Sequence, residues 1–459
     1  MRRISGAAVL LLLAAGLAGC GGPKRLPPVN TEPLPGPRPG PGPGAVTVPR
    51  LLGVGLAEAQ AEFVVEATGP AQVVDAGSGR GLARLAGPGR NLTCRRSGDG
   101  VAWAAAGEQG KAASVRLVPA DPADLVVRGE ERYRGEFLVI PTLGRSTGLT
   151  LVNAIELEDY LRGVVPWEIG RHQRDALAAL EAQAVAARTY TVSHLGARRD
   201  RGFDVFADVM DQVYRGARDE DPLCNEAIEH TAGLVLRDGD REIEAYYSAC
   251  CGGVTSQVEE VWAREARPYL ISHWDGPEGA DPWCAGYRHY HWRETWPRAE
   301  LEAILQRTLP EYLDYATSNG RAVWAGVPFT PRGGGSDARR PGRLRDLQIL
   351  RRTTSGRVAE LAVVTDAGTY HVRGDRVRWA LVPASGNPAI LRSALFDLEL
   401  ERVGDDLRSV AARGRGYGHG IGLCQTGALE MARRGRTSAQ ILAHYYPGAQ
   451  LVAVDRSGR

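Results

Sequence analysis

The stretch Val164-Val165-Pro166-Trp167-Glu168-Ile169 sets one carboxylate among apolar and aromatic neighbours. A carboxyl group in such surroundings loses hydration of its charged form, so its pKa rises. A glutamic acid that keeps its proton near neutral pH can pass it to a leaving group. Glu168 is therefore a candidate general acid. The plain alternative is a solvated or helix-capping Glu. The nearby carboxylates are Glu156, Glu158, Asp159, Asp175 and Glu181. Glu158 and Asp159 read as solvated, and none is an evident partner for Glu168.

The elements around Glu168 must hold it. Glu158–Val165 makes a helical turn ended by Pro166. From Asp175 to about Leu195 the pattern is helical, with Leu177, Leu180, Ala184, Ala187 and Thr191 near one face. Its small alanines allow close packing, so this helix is expected to be central and buried. Glu181 and Arg188 share another face but stand about 10 Å apart, two turns of rise. Glu181 is expected to pair with some arginine, but at that separation Arg188 fits poorly.

A second polar cluster follows Gly414, Gly416, Gly418, Gly420 and Gly422. That glycine density is unsuited to a core strand and allows close approach to a ligand. In the loop that begins at Tyr417, His419 and Gln425 would project polar groups into a groove. A structural glycine-rich turn is the alternative.

The chain of 459 residues carries a formal net charge of +2, which draws it to no nucleic acid. Arg2 and Arg3, the apolar run Ala7–Leu17 and Leu17-Ala18-Gly19-Cys20 read as an export signal over residues 1–19. The Cys after Leu-Ala-Gly resembles a bacterial lipobox, which implies lipidation at Cys20 and a membrane tether. Residues 20–45 form a Pro/Gly-rich spacer. Residues 46–132 show short Val/Leu segments broken by glycine, a small β-rich domain. A main domain begins at 133 and runs to 287. An insertion with a helix and a Gly/Arg-rich loop occupies 288–345, and the main domain resumes over 346–459. Within it DQVYRG, GLVLRDG and EIEAYYSA look strand-like. The fold class is α+β, with β-rich subdomains around a central Ala-rich helix.

Segments in four places together resemble the bacterial family of stage II sporulation protein D and the amidase enhancers. They are LEDYLRGVVPWEI with LEAQAVAARTYTV; DQVYRG at Asp211–Gly216; AYYS, CGGVT, Val261-Trp262 and Pro268-Tyr269-Leu270; and GYGHGIGLCQTGALEMARRG with ILAHYYPGAQL. In order they span about Glu136–Leu451. The resemblance implies a lytic transglycosylase that cuts peptidoglycan between N-acetylmuramic acid and N-acetylglucosamine, leaving 1,6-anhydro ends. It puts the acid at Glu168. Substrate contacts would come from Arg188, Tyr214, Trp262, Tyr417, His419 and Gln425. Arg188 has a structural ion pair as its alternative, and Tyr214 and Trp262 have plain packing. Implied partners are glycan strands stripped of stem peptides and a cell-wall amidase. A non-catalytic enhancer of an N-acetylmuramoyl-L-alanine amidase is the rival reading. The protein would face the periplasm or the cell surface.

Six further cysteines are Cys94, Cys224, Cys250, Cys251, Cys284 and Cys424. Relatives with a zinc site build it from Cys and His near the segment matching YYSACCGG. Here Ser248 and Ala249 replace His-Ser, and Cys224, Cys250, Cys251 and Cys284, with His230 and His273, match no strong ligand spacing. In an oxidising compartment a disulfide such as Cys251 to Cys284 is expected instead, with no metal. Cys424 reads as a small packing residue.

Overall fold

Alanine loses no side-chain entropy in a helix, and a helix apolar on every side must be covered on every side. The Ala-rich segment obeys both rules. After one 3-10 turn at Arg174–Ala176 it forms helix α3, Leu177–Ser193, and every residue from Ala182 to Val192 is buried. Two short helices precede it: α1, Leu157–Arg162, and α2, Val165–Glu168. Pro166 opens α2 rather than closing α1. Proline lacks an N–H that the first helical turn does not use. Helix α4, Pro222–His230, packs on α3; Asp221 caps it by accepting from the amides of Leu223 and Cys224. The computed structural model describes residues 51–144, 147–318, 327–333 and 336–454. The export signal, the spacer and Cys20 lie outside these.

The strand Leu52–Gln60 pairs antiparallel with Leu149–Ile155, which pairs with Glu136–Pro141. That sheet continues through Val115–Pro119, Ala71–Asp75 and Gly81–Leu85. Val205–Phe206 adds a parallel edge beyond Leu52–Gln60. A six-stranded sheet runs from Glu131–Tyr133 to Glu108–Ala112. Residues of both sheets share one core with α3, among them Val54, Val73, Leu92, Val101 and Phe137. The boundary expected near 132 thus falls inside a continuous sheet and a continuous core.

A second core holds Trp292, Trp296, Leu301, Leu361, Tyr370, Phe396 and Ala412. Its entry strand His291–Pro297 pairs antiparallel with its exit strand Asp406–Arg415, register His291↔Arg415. Neighbouring entry and exit strands define an inserted module of about 291–415, larger than the expected 288–345. The first core resumes at Ile421 and closes with Tyr446. The fold is α+β. Among the described residues no helix is long and apolar enough to cross a membrane.

Arg188 lies wholly inside, its side chain 0% exposed. Its Nη2 donates to Glu158 Oε2 at 2.7 Å and its Nε to Glu158 Oε1 at 3.0 Å. Nη1 reaches the Leu234 carbonyl at 3.1 Å, and Nη2 the Ile228 carbonyl at 3.3 Å. Glu158 also accepts from the Gly233 amide at 3.0 Å. So Glu158 is a structural counter-ion rather than a solvated residue, and Glu181 bonds His230 at 3.0 Å instead of an arginine. Removing one member of a buried pair leaves the other uncompensated. Arg188→Met should therefore lower the unfolding free energy by about 3 kcal/mol, the low end for such pairs because Glu158 keeps some hydration. Urea titration checks this; an unchanged midpoint would deny the pair its structural weight.

Candidate functional site

Glu168 closes the single turn of α2, beside Trp167, which is 46% exposed. Oε1 of Glu168 accepts the Val213 amide at 2.7 Å. Among the described residues it makes no ion pair. Burial raises its pKa to about 7, and the Val213 amide opposes that only in part. The carboxyl therefore holds a proton over much of the range in which an ordinary Glu is ionised.

The segment Asp211–Gly216 is what fixes that amide. It is irregular chain rather than the expected strand, and successive residues bind different neighbours. Asp211 accepts from Tyr190 Oη at 3.0 Å, Arg198 Nη2 at 3.1 Å and the Phe206 amide at 2.8 Å. Gln212 Oε1 accepts from Thr191 Oγ1 at 2.7 Å and Tyr160 Oη at 3.1 Å. Its Nε2 donates to Tyr247 Oη at 2.9 Å. The Val213 amide faces Glu168, and Tyr214 Oη donates to Asn153 at 2.7 Å. Arg215 lies over the Trp167 ring at 5.9 Å. The charge of Glu168 reaches the Tyr160 and Tyr247 hydroxyls and makes both harder to ionise, adding to the larger effect of burial.

The other residues expected at the site divide. Tyr214 is buried against Tyr160, ring centroids 4.9 Å apart, and belongs to the core. Arg188 is consumed by Glu158. Gln425 is buried and donates to Gln183 at 3.3 Å, joining the helix Gln425–Arg433 to α3 instead of facing a groove. His419 packs on Trp262 at 4.7 Å, and its Nδ1 accepts the Ile421 amide at 3.0 Å. Burial lowers its pKa to about 4, with Asp375 and Arg378 acting in opposite directions. The Ile421 amide and the Trp262 ring hold the imidazole within the loop. Trp262 and Tyr417 stay half-exposed. Tyr247, Gln212 and Trp167 were not singled out by sequence reasoning. Only Trp167 had a signal, as the aromatic next to the acid.

The cysteines also differ from expectation. Cys251 Sγ and Cys284 Sγ stand 3.6 Å apart, too far for a disulfide, and all six described cysteines are free. Cys251, Asp275, Cys284 and Cys424 bring donor atoms within 4.8 Å of one another, a set able to hold a metal ion. Cys224 lies apart, its thiol 3.9 Å from the Gly170 carbonyl. His273 bonds Thr255 at 3.1 Å and meets the His444 ring edge-on.

Fold and site together define an α+β domain, built on a buried helix, that presents one protonatable carboxylate. Residues 145–237 match the family described as Stage II sporulation protein, and the chain is similar to proteins named stage II sporulation protein D and amidase enhancer. Residues 333–422 match a domain of unknown function (DUF8618), largely within the inserted module. The chain is 32% identical over 305 residues to an amidase enhancer of Bacillus subtilis (strain 168), covering 64% of this chain. It spans only 40% of that relative's length. It is 28% identical over 343 residues to stage II sporulation protein D of the same organism, covering 72% of this chain and 83% of that protein. An uncharacterized protein of Brachyspira hyodysenteriae is 26% identical over 325 residues, 71% of this chain and 73% of the relative.

The raised pKa has a measurable sign. Unfolded Glu168 ionises near its ordinary 4.5, whereas the folded group keeps its proton to about 7. The native state therefore binds the extra proton between these values, and stability falls as pH rises through that window. Glu168→Gln should match the wild type near pH 4. It should exceed it by roughly 2 kcal/mol at pH 8, allowing for partial exposure. Denaturant titrations at both pH values test this; a difference that does not change with pH would mean the carboxyl is not desolvated.

Proposed function

We propose that this protein is a lytic transglycosylase acting outside the cytoplasm on the glycan of peptidoglycan. The observation that carries the reading is the state of Glu168: desolvated, hydrogen-bonded once, and without a charged partner among the described residues. In the first step the Glu168 carboxyl protonates the oxygen that links C1 of N-acetylmuramic acid to N-acetylglucosamine, and the C1–O bond breaks. The resulting carboxylate then takes the proton of the muramic acid 6-hydroxyl while O6 bonds to C1. The 1,6-anhydro ring closes, Glu168 regains its proton and no water is consumed. One carboxylate suffices because the nucleophile belongs to the substrate and is already positioned. Trp167 offers an exposed ring for a sugar face, held by Arg215.

Denuded strands are the substrate the resemblance implies, and the names of the relatives favour a place at the cell wall. One relative is named for enhancing an amidase. That favours a second reading, a glycan-binding enhancer without catalysis of its own.

Digestion of purified denuded glycan, read by mass spectrometry of the ends, separates these. The wild type should yield 1,6-anhydro ends, and Glu168→Gln should lose at least about 100-fold in rate, the contribution of a general acid. Reducing ends that carry oxygen from labelled water would replace transglycosylation by hydrolysis. A folded protein that cleaves nothing but raises amidase turnover would establish the enhancer. Trp167→Ala should raise KM several-fold with a smaller change in kcat; equal losses in both would remove Trp167 from substrate binding.

A further inference from the structure

We propose that Cys251, Cys284, Cys424 and Asp275 hold one zinc ion, and that Arg357 of the inserted module is its counter-ion. The set differs from the Cys-and-His set that the family resemblance implied. It includes Cys424, from the far end of the chain, and Asp275, and it contains no histidine.

Four observations converge. The donor atoms lie within 4.8 Å of one another in residues that are all buried. The Cys251–Cys284 separation of 3.6 Å is close to the edge of a tetrahedron with zinc–sulfur bonds of about 2.3 Å, which is about 3.8 Å, and far from a disulfide at about 2.05 Å. Asp275 is oriented from behind: its Oδ1 takes His444 Nε2 at 3.1 Å and Tyr445 Oη at 2.9 Å, while Oδ2 meets Cys251 Sγ at 3.0 Å. Hydrogen bonds of this kind orient the ligands of protein metal sites.

The fourth observation is Arg357. It is 1% exposed, donates to the Cys251 carbonyl at 2.6 Å and the Val254 carbonyl at 3.0 Å, and makes no ion pair among the described residues. Its Nε has no hydrogen-bond partner. A buried cation without a counter-charge is costly. Three thiolates and one carboxylate around a divalent ion leave a net charge of −2, and that excess supplies what Arg357 lacks. Neutral thiols would not.

Assembly of such a centre binds Zn²⁺ and releases the thiol protons, with no change of oxidation state. It ties Cys251, the Asp275–Cys284 loop and the helix after Cys424 together beneath the inserted module. This inference stands whether or not Glu168 cleaves glycan, because its test reads metal and not activity.

The full chain, purified without chelators, is assayed for zinc by plasma mass spectrometry and for intact mass under denaturing conditions. One zinc per chain is expected. Replacement by cobalt should give a thiolate-to-cobalt charge-transfer band in the near ultraviolet. Cys284→Ser and Cys424→Ser should cut bound zinc at least tenfold, while Cys224→Ser retains it. Arg357→Gln should weaken zinc retention against a competing chelator about tenfold or more. A folded wild type that holds no zinc after incubation with equimolar Zn²⁺ would overturn the proposal. So would an intact mass lower by two hydrogens with a mapped Cys251–Cys284 disulfide. Since both measurements are made on the wild type, a variant that fails to fold does not decide the outcome.

Discussion

Burial of α3 on all sides is the constraint to which the rest of the first core answers. Its alanines let neighbours approach closely, but the helix also carries Gln183, Arg188, Thr189 and Thr191 into the interior. Buried polar groups need partners, and each is met by a different stretch of chain. Arg188 takes Glu158 from α1, and Thr191 takes Gln212. Thr189 Oγ1 accepts the Leu236 amide at 2.9 Å, and Gln183 accepts from Gln425. Three of the four conspicuous sequence segments are thus united by one helix. Much of their distinctive chemistry serves that helix and not a ligand.

That division marks where sequence reasoning succeeds and where it stops. Periodicity and alanine content identify α3 to within two residues at its start and end, because helix formation and burial are both local signals. The acid is legible for the same reason: Glu168 is desolvated by neighbours adjacent in sequence. Arg188, Tyr214, His419 and Gln425 are polar groups of the type that bind sugars, and nothing local distinguishes that use from a buried partner elsewhere in the chain. Glu158, thirty positions away from Arg188, becomes its counter-ion only through tertiary contact. Helix α4 was legible in principle, since Asp221 followed by Pro222 is a cap and first-turn signal. The insertion boundary was not, because strands on either side of it have the same alternation and differ only in which core they enter.

The glycine-rich loop illustrates how the two cores constrain one another. Gly420 has φ +77°, and a Cβ there would collide with the Arg357 guanidinium. Its amide is held by Ser248 Oγ at 3.2 Å, and its carbonyl accepts the Ser256 amide at 2.8 Å. The loop therefore needs glycine for close approach, as the sequence suggested, but what approaches is an arginine of the inserted module. The same guanidinium reaches the Cys251 carbonyl. Loop, module and cysteine cluster are one packed unit.

The isolation of Glu168 shows in where the arginines of the surrounding elements are directed. An unpaired guanidinium close to a carboxylate would favour its ionised form and pull its pKa down. Arg188 on α3 is neutralised by Glu158, and Arg198 is neutralised by Asp211 at 3.1 Å. Arg215 is drawn over the Trp167 ring. Desolvation and one amide are what act on the carboxyl, and desolvation dominates. The Val213 amide has a further consequence. It occupies Oε1 at 2.7 Å and leaves Oε2 as the oxygen open to carry a proton. In the proposed reaction the same oxygen would give the proton and recover it, while the Asp211–Tyr214 strap holds the other.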